Sequence, residues 1–224
     1  MDGSKARAVS CVEVCYWPRP VCLQRMMQHN LGAPYLSSSL AKMVRQGNRL
    51  CKSFSFDFSK AFNSVPHAIA CNKLMSLKIN PYVINWIVSF LSSRKQRVVV
   101  DGFVTEFASI NRGVPRGTVL GPILFSIMVN DTRPVYPEPN LLLKYADDLT
   151  LSVPASAHQD HSFIEVNSIQ HWAVRNRTKL NPTKTWEMVV HGRISKPLPP
   201  LVRGIKRKSR LKLLGIIFQE NPSD

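Results

Sequence analysis

The sequence has no apolar stretch long enough to cross a membrane. Its longest, Val119 to Val129, falls well short of the roughly 20 residues a spanning helix needs. It has no clean signal core either: Met1 to Ser10 carries Lys5 and Arg7, and Glu13, Pro18 and Pro20 follow. An intracellular, non-secreted protein without a membrane partner is expected. Cysteine is sparse, with Cys11, Cys15, Cys22, Cys51 and Cys71 all in the first third. Zinc sites use tighter pairs with matched histidines, so Cys11, Cys15, Cys22 and His29 make a weak constellation, and reduced thiols are the plainer reading. Acid is scarce too. Fourteen Asp and Glu face 30 Lys and Arg, which gives +16 and a pI near 10.1. From Met188 to Gln219 there is no acidic residue at all. A globular chain this basic meets a polyanion, nucleic acid first. With 44% hydrophobic and 20% charged residues, wholesale disorder is excluded.

The sequence that is present divides unevenly. Residues 1–52 are interrupted by Pro18, Pro20, Gly32 and Pro34, with a short helix expected from Leu36 to Arg49 on Leu40, Met43 and Val44. At Ser53 the pattern sharpens. Phe54, Phe56 and Phe58 alternate with Ser53, Ser55 and Asp57, which reads as a half-buried strand with Asp57 on its polar face. Pro66 opens a helix carrying Ile69, Leu74 and Leu77. Asn80-Pro81 reads as a cap and first helical position for a stripe of Val83, Ile84, Ile87, Val88 and Leu91. Asp101-Gly102 between Gln96–Val100 and Phe103–Phe107 signals a hairpin. A Gly113, Pro115, Gly117 loop leads into a helix from about Thr118 to Asn130. A second hairpin centres on Ala146-Asp147-Asp148, between Leu141–Tyr145 and Leu149–Val153. A polar helix spans His161 to Thr178 with Phe163, Val166, Ile169 and Trp172 on its apolar face.

Adjacent carboxylates at a hairpin tip repel each other, and a divalent cation relieves that. Asp147 and Asp148 therefore suggest a metal site, with Asp57 as a third ligand from a neighbouring strand. Two metals in such a site serve nucleotide addition. For an Asp-Asp pair alone, polar turn residues are the commoner explanation.

The pair is accompanied by further motifs. Phe56-Asp57-Phe58-Ser59-Lys60-Ala61-Phe62-Asn63-Ser64-Val65-Pro66-His67 resembles the first catalytic motif of reverse transcriptases from retrotransposons without long terminal repeats. Asn85-Trp86-Ile87 through Leu91 and Arg94-Lys95-Gln96-Arg97-Val98 resemble the helix and strand that follow it. Arg112-Gly113-Val114-Pro115-Arg116-Gly117-Thr118-Val119-Leu120-Gly121-Pro122 resembles the template and nucleotide loop, and Tyr145-Ala146-Asp147-Asp148 the hallmark hairpin. Leu180-Asn181-Pro182-Thr183-Lys184-Thr185 and Leu213-Leu214-Gly215 resemble the later palm motifs. The set runs in family order over about residues 53–219.

The resemblance implies an α+β fold: a right-hand polymerase palm, an antiparallel sheet packed on helices, with partial fingers and the start of a thumb. It implies a core over 53–190, with 1–52 as a fingers remnant and 191–224 as a basic segment ending the palm and starting the thumb. It implies RNA-directed DNA synthesis with Mg²⁺, or Mn²⁺ in its place, on an RNA template and DNA primer with deoxynucleoside triphosphates. Asp57, Asp147 and Asp148 would be the metal carboxylates, with the Phe58 carbonyl as a further ligand. Phe62 would exclude a 2′-hydroxyl. Arg116 and Gly117 would lie at the nucleotide, Gly117 letting the backbone approach the template. Lys184 would meet the leaving phosphate as general acid or charge clamp. Arg203, Lys206, Arg207, Lys208, Arg210 and Lys212 would touch the duplex phosphates. Asn63 stands where members carry Asp, and Arg116 where Gln is usual. The chain is expected to be truncated at fingers and thumb. The other expectation is a catalytically inactive remnant that at most binds nucleic acid.

Overall fold

The computed structural model describes residues 33–45, 50–115, 117–155, 160–191, 198–213 and 216–220. The cysteine constellation at Cys11 to His29, and Arg116, lie outside them. In chain order, α1 (Ala33–Arg45) leads into β1 (Leu50–Phe56), then α2 (Ala61–Ser64), α3 (His67–Met75) and α4 (Pro81–Leu91). The short strands β2 (Lys95–Gln96), β3 (Val99–Val100), β4 (Phe103–Val104) and β5 (Ala108–Ser109) precede α5 (Leu120–Val129). Strands β6 (Leu141–Tyr145) and β7 (Asp148–Ala155) are followed by α6 (Ser162–Arg175) and β8 (Trp186–His191). The last elements are β9 (Lys206–Arg207), β10 (Arg210–Leu213) and β11 (Ile216–Gln219).

The central sheet has the order β6-β7-β1-β8-β9, antiparallel except for the β8–β9 pair. Its middle strand, β1, departs from the half-buried expectation. Antiparallel strands show alternation when one face meets water, and here both faces are covered. One face carries Phe54, Phe56, Leu149, Leu151 and Val153 into a large core with Leu124, Phe125, Ile169 and Trp172. The other places Cys51, Met188 and Val190 against Leu36 and Leu40 of α1 and Leu211 and Leu213 of β10. Ser53 is fully buried, and its hydroxyl shares a hydrogen bond of 2.9 Å with Ser152 across β1 and β7.

The helix caps follow the sequence. The Asn80 side chain accepts from the Tyr82 N–H at 2.9 Å, with Pro81 opening α4. In α6, Phe163 is exposed, contrary to its expected place on the apolar face. The inward positions are Ser162, Glu165, Val166, Ile169, Trp172 and Ala173. Buried Glu165 accepts from the N–H groups of Val135 and Tyr136 and from Asn140, and so closes the loop before β6.

Strand β8 was not foreseen. Its Glu187 is fully buried, accepts from the Val202 N–H and is paired with Arg207. That pairing ties β9 to the sheet. A second buried charge, Lys52 on β1, meets Asp160 at 2.7 Å, the Ser162 hydroxyl at 3.1 Å and the Pro200 carbonyl at 2.7 Å.

Candidate active site

The β1–β7 register ends on Phe56 opposite Leu149, and the β6–β7 register ends on Tyr145 opposite Asp148. One step further along the same register sets Asp57 opposite Asp148. Asp147 sits in the turn between β6 and β7, which Ala146 closes with φ of +49°. The sheet thus delivers three carboxylates to one end through backbone pairing alone. Asp57 and Asp147 are half-buried, and Asp148 is exposed. Although the residue as a whole is exposed, partial burial of its carboxyl pushes Asp148 above the usual carboxylate range, and the neighbouring charges of Asp147 and Asp57 push it further. Such a donor set suits a hard divalent cation, whose charge would reverse the repulsion. Among the described residues, no three His, Cys, Asp or Glu side chains are drawn together tightly enough to hold a metal as they stand.

Asp57 is held by a segment whose contact with it sequence reading did not foresee. Phe58 bridges to Leu180, the Ser59 N–H donates to the Lys179 carbonyl at 2.7 Å, and the Asn181 N–H donates to the Asp57 carbonyl at 2.8 Å. The Asn181 side-chain amide donates to the Asp57 carboxylate at 3.1 Å. The Asn181 side-chain oxygen in turn accepts from the Thr183 N–H and hydroxyl, which fixes the turn that carries Lys184. Lys184 is exposed on that turn.

Phe58 is buried, its ring 5.3 Å from Phe125 and 6.2 Å from Trp172. Phe62 is half-buried and packs on the same Phe125 at 5.7 Å. The loop after β5 is clamped to α2 and α3. The Gly113 N–H donates to Val65, the Val114 N–H to Phe62, and the His67 ring meets the Gly113 carbonyl at 2.6 Å. A Cβ on Gly113 would lie 3.0 Å from the Asn63 carbonyl, and its φ of +87° also demands glycine. Gly117, at φ of +76°, faces open space.

In the basic segment, Arg203, Lys206, Lys208, Arg210 and Lys212 are exposed. Lys208 lies over the Trp186 ring at 3.5 Å. Arg207 departs from the rest: its guanidinium donates to Glu187 and, at 2.8 Å, to the Pro199 carbonyl. It anchors β9 rather than facing outward.

This architecture is that of a polymerase palm. It aligns with the telomerase of Candida tropicalis, solved with a TWJ fragment of telomeric RNA, at a TM-score of 0.57 and 13% identity, covering 75% of this chain and 32% of that one. The chain belongs to the reverse transcriptase (RNA-dependent DNA polymerase) family, whose model matches residues 6–218. Its relatives there come from retrotransposons without long terminal repeats, as the motifs imply. It is 33% identical over 141 residues to the RNA-directed DNA polymerase from mobile element jockey of Drosophila funebris, covering 57% of this chain and 15% of that protein. It is 28% identical over 157 residues to the retrovirus-related Pol polyprotein from type-1 retrotransposable element R2 of Popillia japonica, covering 64% and 25%. The chain therefore spans 15% to 25% of the length of these curated relatives. Among the described residues, no helix is long and apolar enough to cross a membrane.

Proposed function

We propose that this chain carries RNA-directed DNA polymerase chemistry, adding deoxynucleotides from their triphosphates to the 3′-hydroxyl of a DNA primer on an RNA template. The observation that supports it most is the convergence of Asp57, Asp147 and Asp148 at one end of the sheet, where Asp147 and Asp57 both raise the proton affinity of Asp148. These carboxylates and the Phe58 carbonyl would hold Mg²⁺, or Mn²⁺ in its place. A bound divalent cation supplies activation of the primer hydroxyl and neutralisation of the charge on the leaving pyrophosphate.

The chain's own residues do the positioning. Asn181 orients the Asp57 carboxylate. Phe62, braced on Phe125, stands against the sugar and excludes a 2′-hydroxyl by clash. Gly117 leaves space for a template backbone, and Arg116, next to it in the sequence, is the residue assigned to the nucleotide by the family resemblance alone. Lys184 gives a proton or a positive charge to the leaving phosphate. Arg203, Lys206, Lys208, Arg210 and Lys212 hold the phosphates of the primer–template duplex without reading its sequence. Primer extension on an RNA template with Mg²⁺ tests the reading. Product that disappears in Asp147→Ala supports it. Salt-dependent binding to RNA–DNA hybrids with no extension would favour an inactive remnant.

A further inference from the structure

Every residue from Lys95 to Ser109 is exposed, and the segment forms a two-stranded ribbon whose strands pair only with each other among the described residues. At its base the Ile110 N–H donates to the Arg94 carbonyl at 2.9 Å, and further out the Thr105 N–H donates to the Val98 carbonyl at 3.0 Å. Asp101-Gly102 turns the chain at the tip. Six of its side chains are large and apolar: Val98, Val99, Val100, Phe103, Val104 and Phe107, with Phe103 83% exposed. A two-stranded ribbon is marginal in water by itself, and contiguous apolar side chains at a surface mark a place that another surface covers.

The two edges of the ribbon differ. Between the paired strands, Arg97 and Val98 face the three residues 105–107, and the extra residue interrupts the return edge. The outgoing edge, Lys95 to Val100, is continuous. The two-residue turn makes Val100 and Phe103 a hydrogen-bonded pair, so the next pair, Val99 and Val104, is not one. The bond from Thr105 to Val98 fits that alternation. Val99 therefore aims both its N–H and its carbonyl outward along the continuous edge, where no strand takes them among the described residues. An open, regular edge of this kind is a template for a further strand.

We infer that this edge is the interface for a second copy of the chain, the two ribbons joining antiparallel into a four-stranded sheet about a twofold axis at Val99. The charges select that occupant and that register. With Val99 opposite the partner's Val99, Arg97 falls opposite the partner's Asp101, and the twofold axis repeats the pair. Val98 falls opposite the partner's Val100. Each opposed pair is then apolar with apolar or cation with anion, the combinations that stabilise neighbouring strands. Arg97 is prepared for this. Its guanidinium lies over the Phe107 ring at 4.9 Å, which engages its flat face and leaves its N–H edge for a carboxylate. Asp101 is exposed at the tip and has no ion-pair partner among the described residues. On the opposite face, Val98, Val100 and Phe103 of both copies merge into one apolar strip. The net charge of +16 opposes the approach of two copies, so the dimer is a weak one, formed where salt screens charges more than about 8 Å apart. The inference does not rest on the polymerase reading, since none of Asp57, Asp147 and Asp148 lies on the ribbon.

The experiment is analytical ultracentrifugation of the full chain, freed of nucleic acid, at physiological ionic strength over a wide range of concentration. The mass is expected to rise from one chain toward two, and hydrogen exchange over residues 97–101 to slow in step with it. Val99→Pro removes the outward N–H and leaves the ribbon's own bonds in place. Both copies lose that bond, so association is expected to weaken roughly tenfold or more. Arg97→Asp and Asp101→Lys each set like charges opposite one another and are expected to weaken it as well. In a mixture of those two variants, each altered position faces a charge of opposite sign, and association is expected to return. Three results would each overturn the inference. The first is a wild type that stays monomeric at every concentration; slow exchange over 97–101 in such a monomer would mean that the chain covers its own ribbon. The second is a dimer that Val99→Pro leaves intact. The third is a mixture that associates no better than either charge variant alone. The wild-type measurements hold whether or not the variants fold.

Discussion

Asn181 grips Asp57 twice, through its side-chain amide at 3.1 Å from the carboxylate and through its backbone N–H at 2.8 Å from the carbonyl. The two residues are 124 positions apart. The contact ties the turn before β8 to the strand that presents the first carboxylate. Asn181→Ala removes the side-chain half and leaves the backbone half. It should lower primer extension roughly 10–100-fold, the usual cost of losing a group that orients a metal-binding carboxylate. The thermal midpoint should barely move. Wild-type extension by the variant would show that Asp57 needs no such support.

The carboxylate cluster also makes a prediction about pH. Asp148 titrates above its ordinary value because burial, Asp147 and Asp57 oppose its charge. Its folded-state pKa is raised, so the folded chain binds more protons than the unfolded one in the interval between the two values. Stability from this group therefore falls as pH rises through that interval. Asp148→Asn should raise the thermal midpoint at neutral pH, and the gain should vanish below the ordinary carboxylate range. Thermal melts of both proteins across that interval check it. A gain unchanged by acid would contradict the electrostatic cause.

Lys144 gives the opposite sign. Its ammonium donates to the carbonyls of Val129 and Asn130, each at 2.9 Å, and of Thr132 at 2.5 Å, at the end of α5. Burial, and secondarily Arg133, pull its pKa down from 10.5 to about 8. A depressed lysine lets the unfolded chain hold more protons between those values, so this group's contribution to stability rises with pH from about 8 toward 10.5. Wild type should gain on Lys144→Met across that window in denaturant titrations. A flat difference would mean that the amine is well solvated.

Phe62 is braced by Phe125 rather than free, and that bears on its expected role against the sugar. Phe62→Ala should admit ribonucleotides in single-nucleotide incorporation. It should also cost roughly 1–2 kcal/mol, less than a fully buried Phe→Ala because the ring is half-exposed. Unchanged discrimination would reduce Phe62 to a packing residue.

Lys52 tests the buried framework. It is 1% exposed and reaches Asp160, Ser162 and Pro200 together. Asp160→Ala leaves that ammonium buried with only neutral partners and should cost about 3 kcal/mol in urea unfolding. A cost near zero would mean that water replaces the carboxylate.

What could be read from the sequence was local. Asn80 before Pro81, the Asp101-Gly102 turn and the Tyr145–Asp148 hairpin each carry their own short-range chemistry, and each formed as expected. The carboxylates were legible as residues, but their convergence needed the β1–β7 register. The misses were non-local. Strand β8 is hidden because Glu187 interrupts its apolar pattern, and that burial is made tolerable by distant partners, Arg207, 20 positions on, and the Val202 N–H. Phe163 was read inward because an apolar stripe is the usual helix face. Glu165 takes the inward place instead, since three donors from the loop before β6 await it. Arg207 looked like one cation among several until its partner was placed.

Single-nucleotide incorporation on an RNA template with Mg²⁺, run on the wild type and on Asp57→Ala, Asp147→Ala and Asp148→Ala, tests the central claim most directly. The account predicts incorporation by the wild type that is abolished in Asp57→Ala and Asp147→Ala and strongly reduced in Asp148→Ala. Incorporation that survives loss of Asp57 or Asp147, or a folded wild type that incorporates nothing, would contradict it.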